Sequence, residues 1–153
     1  SWMGNGSAVA AMALVVDRVS NEFACYTVPK DFSMPPDARV FFPRLSVEST
    51  PDDADGERAF RETIVGLYHR LLGVEVDPDS VDVEDALTLW RADRDADPMA
   101  AEDAPRDPVL PAQCRVPAGR EPGLERDPLF TVRAWMAVVT YLVRQPEFIT
   151  HRR

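Results

Sequence analysis

Apolar residues recur at helical spacing in four stretches of the chain and lose that period between them. The first stretch, from Ser7 to about Ala24, puts Val9, Met12, Val16, Val19 and Phe23 on one stripe and Asp17, Arg18, Asn21 and Glu22 on the other side. That is the pattern of an amphipathic surface helix with Ser7 as its N-cap. From Cys25 to Ser49 the period disappears, and Pro29, Pro35, Pro36 and Pro43 surround the segment ARVFFPRLSVE. This reads as extended chain crossing a core, with at most one short strand. Thr50 ahead of Pro51, Asp52 and Asp53 combines a hydroxyl cap, a proline in the first turn and acids at the positive end of the dipole, so a second helix starts there. It continues to Leu72, where Gly73 supplies the left-handed stop.

A third helix is predicted from Ser80 to near Asp93, with Val83, Ala86, Leu87 and Trp90 as its buried stripe. The fourth opens at Asp127-Pro128, a cap followed by proline, and runs to about Arg144. Its apolar residues, among them Val132, Trp135, Met136, Val139, Leu142 and Val143, span a broad face extended by Phe130, Val138 and Tyr141. Mainly Arg133, Thr140 and Arg144 are left polar. A helix of that kind is predicted to be central. Pro146 ends it and offers Phe148 back to the core. No internal repeat and no sustained heptad is present.

The predicted fold is therefore mainly α: an irregular bundle of about four main helices with long proline-rich loops, forming one domain over residues 1–153. Phe60, Ile64, Leu67, Leu71, Trp90, Trp135, Val139 and Phe148 are its predicted core, with the last helix packed against the one that ends at Gly73. Residues 95–128 hold seven of the fourteen prolines, which makes 95–127 a loop insertion unusually long for a compact domain. A chain of 153 residues buries roughly two-thirds of its unfolded surface, enough to fold without a metal. Its start at Ser1-Trp2 is read as that of a fragment or processed part of a longer chain. The longest apolar run, Ala8 to Val16, falls short of the ~20 residues that cross a bilayer, so no membrane span is expected.

Charge narrows the partners. The formal net charge is −9, and a single lysine, Lys30, accompanies the arginines. From Glu75 to Asp107 twelve acids face three arginines, an excess equal to the whole net charge. Phosphate binding needs clustered Lys and Arg, so a nucleic-acid partner is excluded.

Candidate chemistry is sparse. His69 lies in the run LYHRLLG, but at 100° per residue it falls roughly opposite Phe60, Ile64, Leu67 and Leu71, beside Arg58 and Glu62. It is thus predicted to point away from the core, and as a catalytic base it lacks a nucleophile from any nearby motif. His151 sits among terminal arginines. Asp93, Asp95 and Asp97 occupy the first three ligand spacings of a calcium loop, but Pro98 stands where that loop needs glycine and Ala104 where it needs glutamate. Paired carboxylates for hydrolysis are conceivable without any pair being singled out. Glycine-rich phosphate loops, nucleophile elbows and paired-histidine zinc motifs are missing, and no cofactor is expected. Cys25 and Cys114 belong to no C-x-x-C pattern, which leaves two thiols or one disulfide.

Two blocks, Phe60 to Trp90 and Ala134 to Arg152, resemble the helical modules of bacterial envelope and secreted proteins. Those modules have a tyrosine helix ending Leu-Leu-Gly, an acid-rich turn, a tryptophan helix and a closing Pro-Glu-Phe. Similar segments occur in large uncharacterised cell-envelope proteins of myxobacteria and planctomycetes, often associated with cytochrome domains. Val74 stands here where that pattern usually has arginine, and Gln145 where it has serine. The resemblance implies a periplasmic or extracellular location, in which Cys25 and Cys114 are expected to be joined. It also implies protein partners, with a cytochrome-containing envelope assembly among them. The function expected is a non-catalytic interaction or scaffold domain. A hydrolase-type enzyme using carboxylates and a calcium-stabilised module are the rivals, and 95–127 is the segment expected to meet a partner.

Overall fold

The computed structural model describes residues 2–96, 109–119 and 123–146, and in the first helix the side chains from Ala10 onward. The architecture is mainly α, as expected. Four helices, α1 (Trp2–Ser33), α2 (Ala54–Leu67), α3 (Val81–Asp95) and α4 (Thr131–Val143), form an irregular bundle, and no strand occurs among the described residues. α4 lies between α1 and α3, meets the turn Tyr68–Leu72 that follows α2, and reaches α2 itself through Trp135 against Phe60. Val132, Trp135, Val138, Val139, Leu142 and Val143 are all buried, which fulfils the expectation for a helix apolar over most of its circumference.

An aromatic cluster occupies the centre. Phe60 meets the Trp90 ring edge-on at 4.7 Å between centroids, Trp135 lies 5.0 Å from Phe60 and 5.2 Å from Phe42, and Phe42 stacks on Phe32 at 4.5 Å. Of the predicted core, Phe60, Ile64, Leu67, Trp90, Trp135 and Val139 are buried and Leu71 is half-buried against them. Phe148 lies outside the described residues.

Four boundaries differ from those read in the sequence. α1 already runs from Trp2, so Ser7 lies inside the helix instead of capping it. α1 does not stop at Ala24 but continues through Pro29 to Ser33, taking up chain that had been read as extended. Pro29 has no N–H for the Cys25 carbonyl, so the helix loses one rung there without ending. Its buried face also differs: Ser20, Ala24, Val28, Asp31 and Phe32 are covered, while Met12 and Val19 of the predicted stripe are exposed. Ser20 and Ala24 are the small residues of this face, and Val28 and Phe32 continue it toward the end of the helix.

The N-cap of α2 is Asp53 rather than Thr50, its carboxylate accepting from Gly56 N at 2.6 Å. The last turn before Gly73, Tyr68–Leu72, widens into a π-turn, and Gly73 closes it at φ 66°. α4 begins three residues later than predicted because Phe130 turns into the left-handed region at φ 57°. Asp127 still caps the helix from a distance. Buried completely, it accepts from Val132 N at 3.0 Å and Arg133 N at 2.9 Å.

The proline-rich stretch after α1 is held by two side chains. Asp31, buried at the end of the helix, accepts from three successive backbone N–H groups, Val40 (2.8 Å), Phe41 (3.1 Å) and Phe42 (2.9 Å). Arg39 donates to the carbonyls of Met34 (2.7 Å), Phe32 (3.2 Å) and Leu45. Between them they satisfy the backbone groups that a non-helical loop leaves open, and Phe42 is pinned in the core.

Many of the acids are paired where α2 meets α3. Arg61 bridges Glu84 (2.5 Å) and Glu57 (3.5 Å), Arg91 reaches Glu57 (3.2 Å), and Arg94 holds Asp52 and Asp95, each at 2.9 Å, with its guanidinium 5.1 Å above the Trp90 ring. The hydrogen bond from Arg94 holds the Asp52 carboxyl below its ordinary range.

A cleft under a disulfide-tied strap

The described part of the long insertion is a strap. Antiparallel bridges join Val109 to Arg126 and Val116 to Leu124, with Val116 and Leu124 exchanging two hydrogen bonds of 2.8 Å. At its bend, Ala112–Cys114 makes a short helical turn, and Cys114 is joined to Cys25 of α1 with the Cα atoms 4.8 Å apart. Leu110 is buried, and the Arg115 Nε donates to its carbonyl at 2.7 Å. From α4, Arg133 donates to the Val109 carbonyl and stacks over Phe130 at 5.5 Å. The strap is thus fixed to α1 by a covalent bond and to α4 by a guanidinium.

Strap, α1, the end of α3 and the outer face of α4 enclose an open cleft of about 1400 Å³. Leu89, Met136, Ala137 and the disulfide give it an apolar lining, and Asn21, Gln113, Thr140, Tyr141 and Gln145 line it as well, together with the charged Glu22, Asp93, Arg133 and Arg144. The end of the cleft is tied to the core: Gln145 hydrogen-bonds the Tyr68 phenol, whose pKa burial nonetheless pushes up. Small-molecule sites enclose most of their ligand within ~300–1000 Å³, so a wide trough of this kind suits a length of polypeptide better.

The residues singled out in the sequence are scattered relative to this cleft. His69 is exposed on the π-turn and does not line it; its Nδ1 lies 2.5 Å from Glu75 Oε1. Asp93 lines the cleft, but Asp95 stands two positions further along the same helix, on the other side of the axis, and takes the Arg94 guanidinium. Asp97 and His151 lie outside the described residues. Among the described candidates, only Cys25 and Cys114 are brought together.

What sequence reasoning missed is the cleft itself. Its signal was the polar minority of α4: Arg133, Thr140 and Arg144, the positions left over when the apolar face was drawn, all line it. Met136 and Tyr141, counted with the apolar face, line it too.

Neither the family models, nor the curated proteins, nor the solved structures with which the chain was compared include a match to it.

Proposed function

We propose that this chain is a non-catalytic interaction domain of a bacterial cell-envelope assembly, and that the cleft beneath the strap receives an extended segment of a protein partner. The observation that carries this reading is the cleft: an open trough with an apolar floor, bordered by neutral hydrogen-bonding groups and by charges of both signs, Glu22, Asp93, Arg133 and Arg144. Such a surface offers a peptide burial for alternate side chains and donors and acceptors for its backbone, while a rigid frame holds the recognition loop in place. The disulfide supports an oxidising compartment, periplasmic or extracellular, because cytosolic thiols are kept reduced. The envelope-module resemblance supports the same setting and makes a cytochrome-containing assembly the partner class to try first.

The test is selection of binders from a displayed peptide library against the oxidised chain. Enriched peptides should lose affinity at least about tenfold, or ~1.4 kcal/mol, when Tyr141→Asp charges the rim or Ala137→Trp fills the floor, and keep it with His69→Ala. Binders insensitive to both cleft changes, or none enriched, would refute the reading.

A further inference from the structure

A second surface adjoins the cleft at Glu22, which lines both, and otherwise runs along the outer side of α1. On α1, Met12 is 64% exposed, Val15 55%, Val19 55% and Tyr26 71%, and Glu22 between them is exposed as well. These five positions are spaced by alternate steps of three and four and fall within an arc of roughly 80° at 100° per residue. The arc lies on the far side of the helix from the buried residues Ser20, Ala24, Val28 and Asp31. This is the seam spacing of a two-helix contact, two heptads long, turned away from the bundle.

We propose that this stripe is a self-association surface, on which α1 of a second copy of the chain docks antiparallel across a two-fold axis. An isologous contact needs a surface complementary to itself. Met12 and Tyr26 lie equally far from Val19, so an axis there faces the thioether of one copy with the ring of the other, a favourable sulfur–aromatic contact. Arg18 and Glu22, paired at 3.1 Å within one helix, are centred on Ser20, one residue away. The same axis therefore brings each guanidinium to the other copy's carboxylate. In a parallel pair the seam carboxylate of Glu22 would face its own copy, which costs stability. Apolar and charged positions thus choose the same orientation and nearly the same centre.

A lipid surface fits less well. The stripe carries a carboxylate, and the chain has a net charge of −9 with one lysine, so the basic flank that membrane-surface helices use is missing.

Sedimentation equilibrium of the 153-residue chain from about 1 μM to about 1 mM spans the range expected for an interface this small. The mass should rise from 17.1 kDa toward twice that value. Val19→Glu, and separately Tyr26→Glu, should hold it at the monomer value with an unchanged helical circular dichroism signal, since both side chains are exposed. Arg18→Glu should weaken association at least about tenfold, and the double swap Arg18→Glu with Glu22→Arg should restore it. A chain that stays monomeric throughout, a dimer indifferent to Val19→Glu, or a double swap that fails to restore association would overturn the proposal. So would Val19-dependent binding to neutral phosphatidylcholine vesicles without self-association.

Discussion

Asp31 and Gly56 are the residues whose environments the sequence conceals most completely. Three N–H groups converge on the Asp31 carboxylate inside the protein, and hydrogen bonds to a charged acceptor contribute about 1.5–3 kcal/mol each before coupling between them is considered. Asp31→Ala should lower unfolding stability by about 3–5 kcal/mol in urea titrations, because it strands three donors at once. Asp31→Asn keeps one acceptor oxygen and should fall between. A cost below ~1 kcal/mol, the size of one ordinary neutral bond, would show that the loop does not depend on this carboxylate. Gly56 gives a sharper test of sign. In the first turn of a helix alanine is favoured over glycine by up to ~1 kcal/mol, yet a Cβ at Gly56 would sit 2.2 Å from the Thr50 carbonyl oxygen. Gly56→Ala should therefore destabilise, by about 2 kcal/mol or more, and a stabilised variant would contradict the described approach of the cap loop.

Among the elements, α2 and α3 are joined by arginines that draw their partners from both helices and from the loop before α2. Asp52 has its folded pKa lowered, mainly by the Arg94 hydrogen bond, so its contribution is present above the unfolded value near 3.8 and is lost as pH falls through the folded one. Arg94→Gln should reduce stability at neutral pH and flatten the acid limb of the stability curve below about pH 4. An unchanged limb would remove Asp52 as a contributor. At the alkaline end the sign reverses. Burial favours the neutral Tyr68 phenol, so the stability it lends is present below its ordinary value of 10.0 and lost as pH rises beyond it. Tyr68→Phe should shift that alkaline loss upward in pH.

The same elements show what could be read in advance. α3 and its Ser80 cap were legible because period, cap and apolar stripe agree, and α4 was legible as the central helix because so little of it is polar. α1 was not, because the apolar period fails after Ala24 with Pro29 close behind, and because its buried face runs through Ser20, Ala24 and Asp31 as well as Val28 and Phe32. The cleft had only the polar gap on α4 as its trace. Its other walls come from residues far apart in sequence, joined by a cysteine pairing that spacing alone leaves open.

At the scale of the whole molecule, the disulfide ties residues 89 positions apart. Closing so long a loop restricts the unfolded chain by about 4–5 kcal/mol in the entropic model. Replacing both cysteines with serine should lower stability by a large part of that amount while the four helices remain, since the aromatic centre of Phe42, Phe60, Trp90 and Trp135 lies elsewhere. The change would release the strap and weaken peptide binding more than it weakens the fold. Thermal unfolding followed by far-ultraviolet circular dichroism, beside a binding titration with a selected peptide, separates the two effects.

The central claim is that a partner segment lies in the cleft between the strap and α4, and it is tested most directly by amide chemical-shift mapping. With the isotope-labelled, oxidised chain titrated by a peptide selected against it, the account predicts perturbations concentrated at Gln113, Cys114, Met136, Ala137, Thr140 and Tyr141, with His69 and Glu75 unmoved. Shifts centred on the His69–Glu75 turn, with the cleft residues silent, would contradict it.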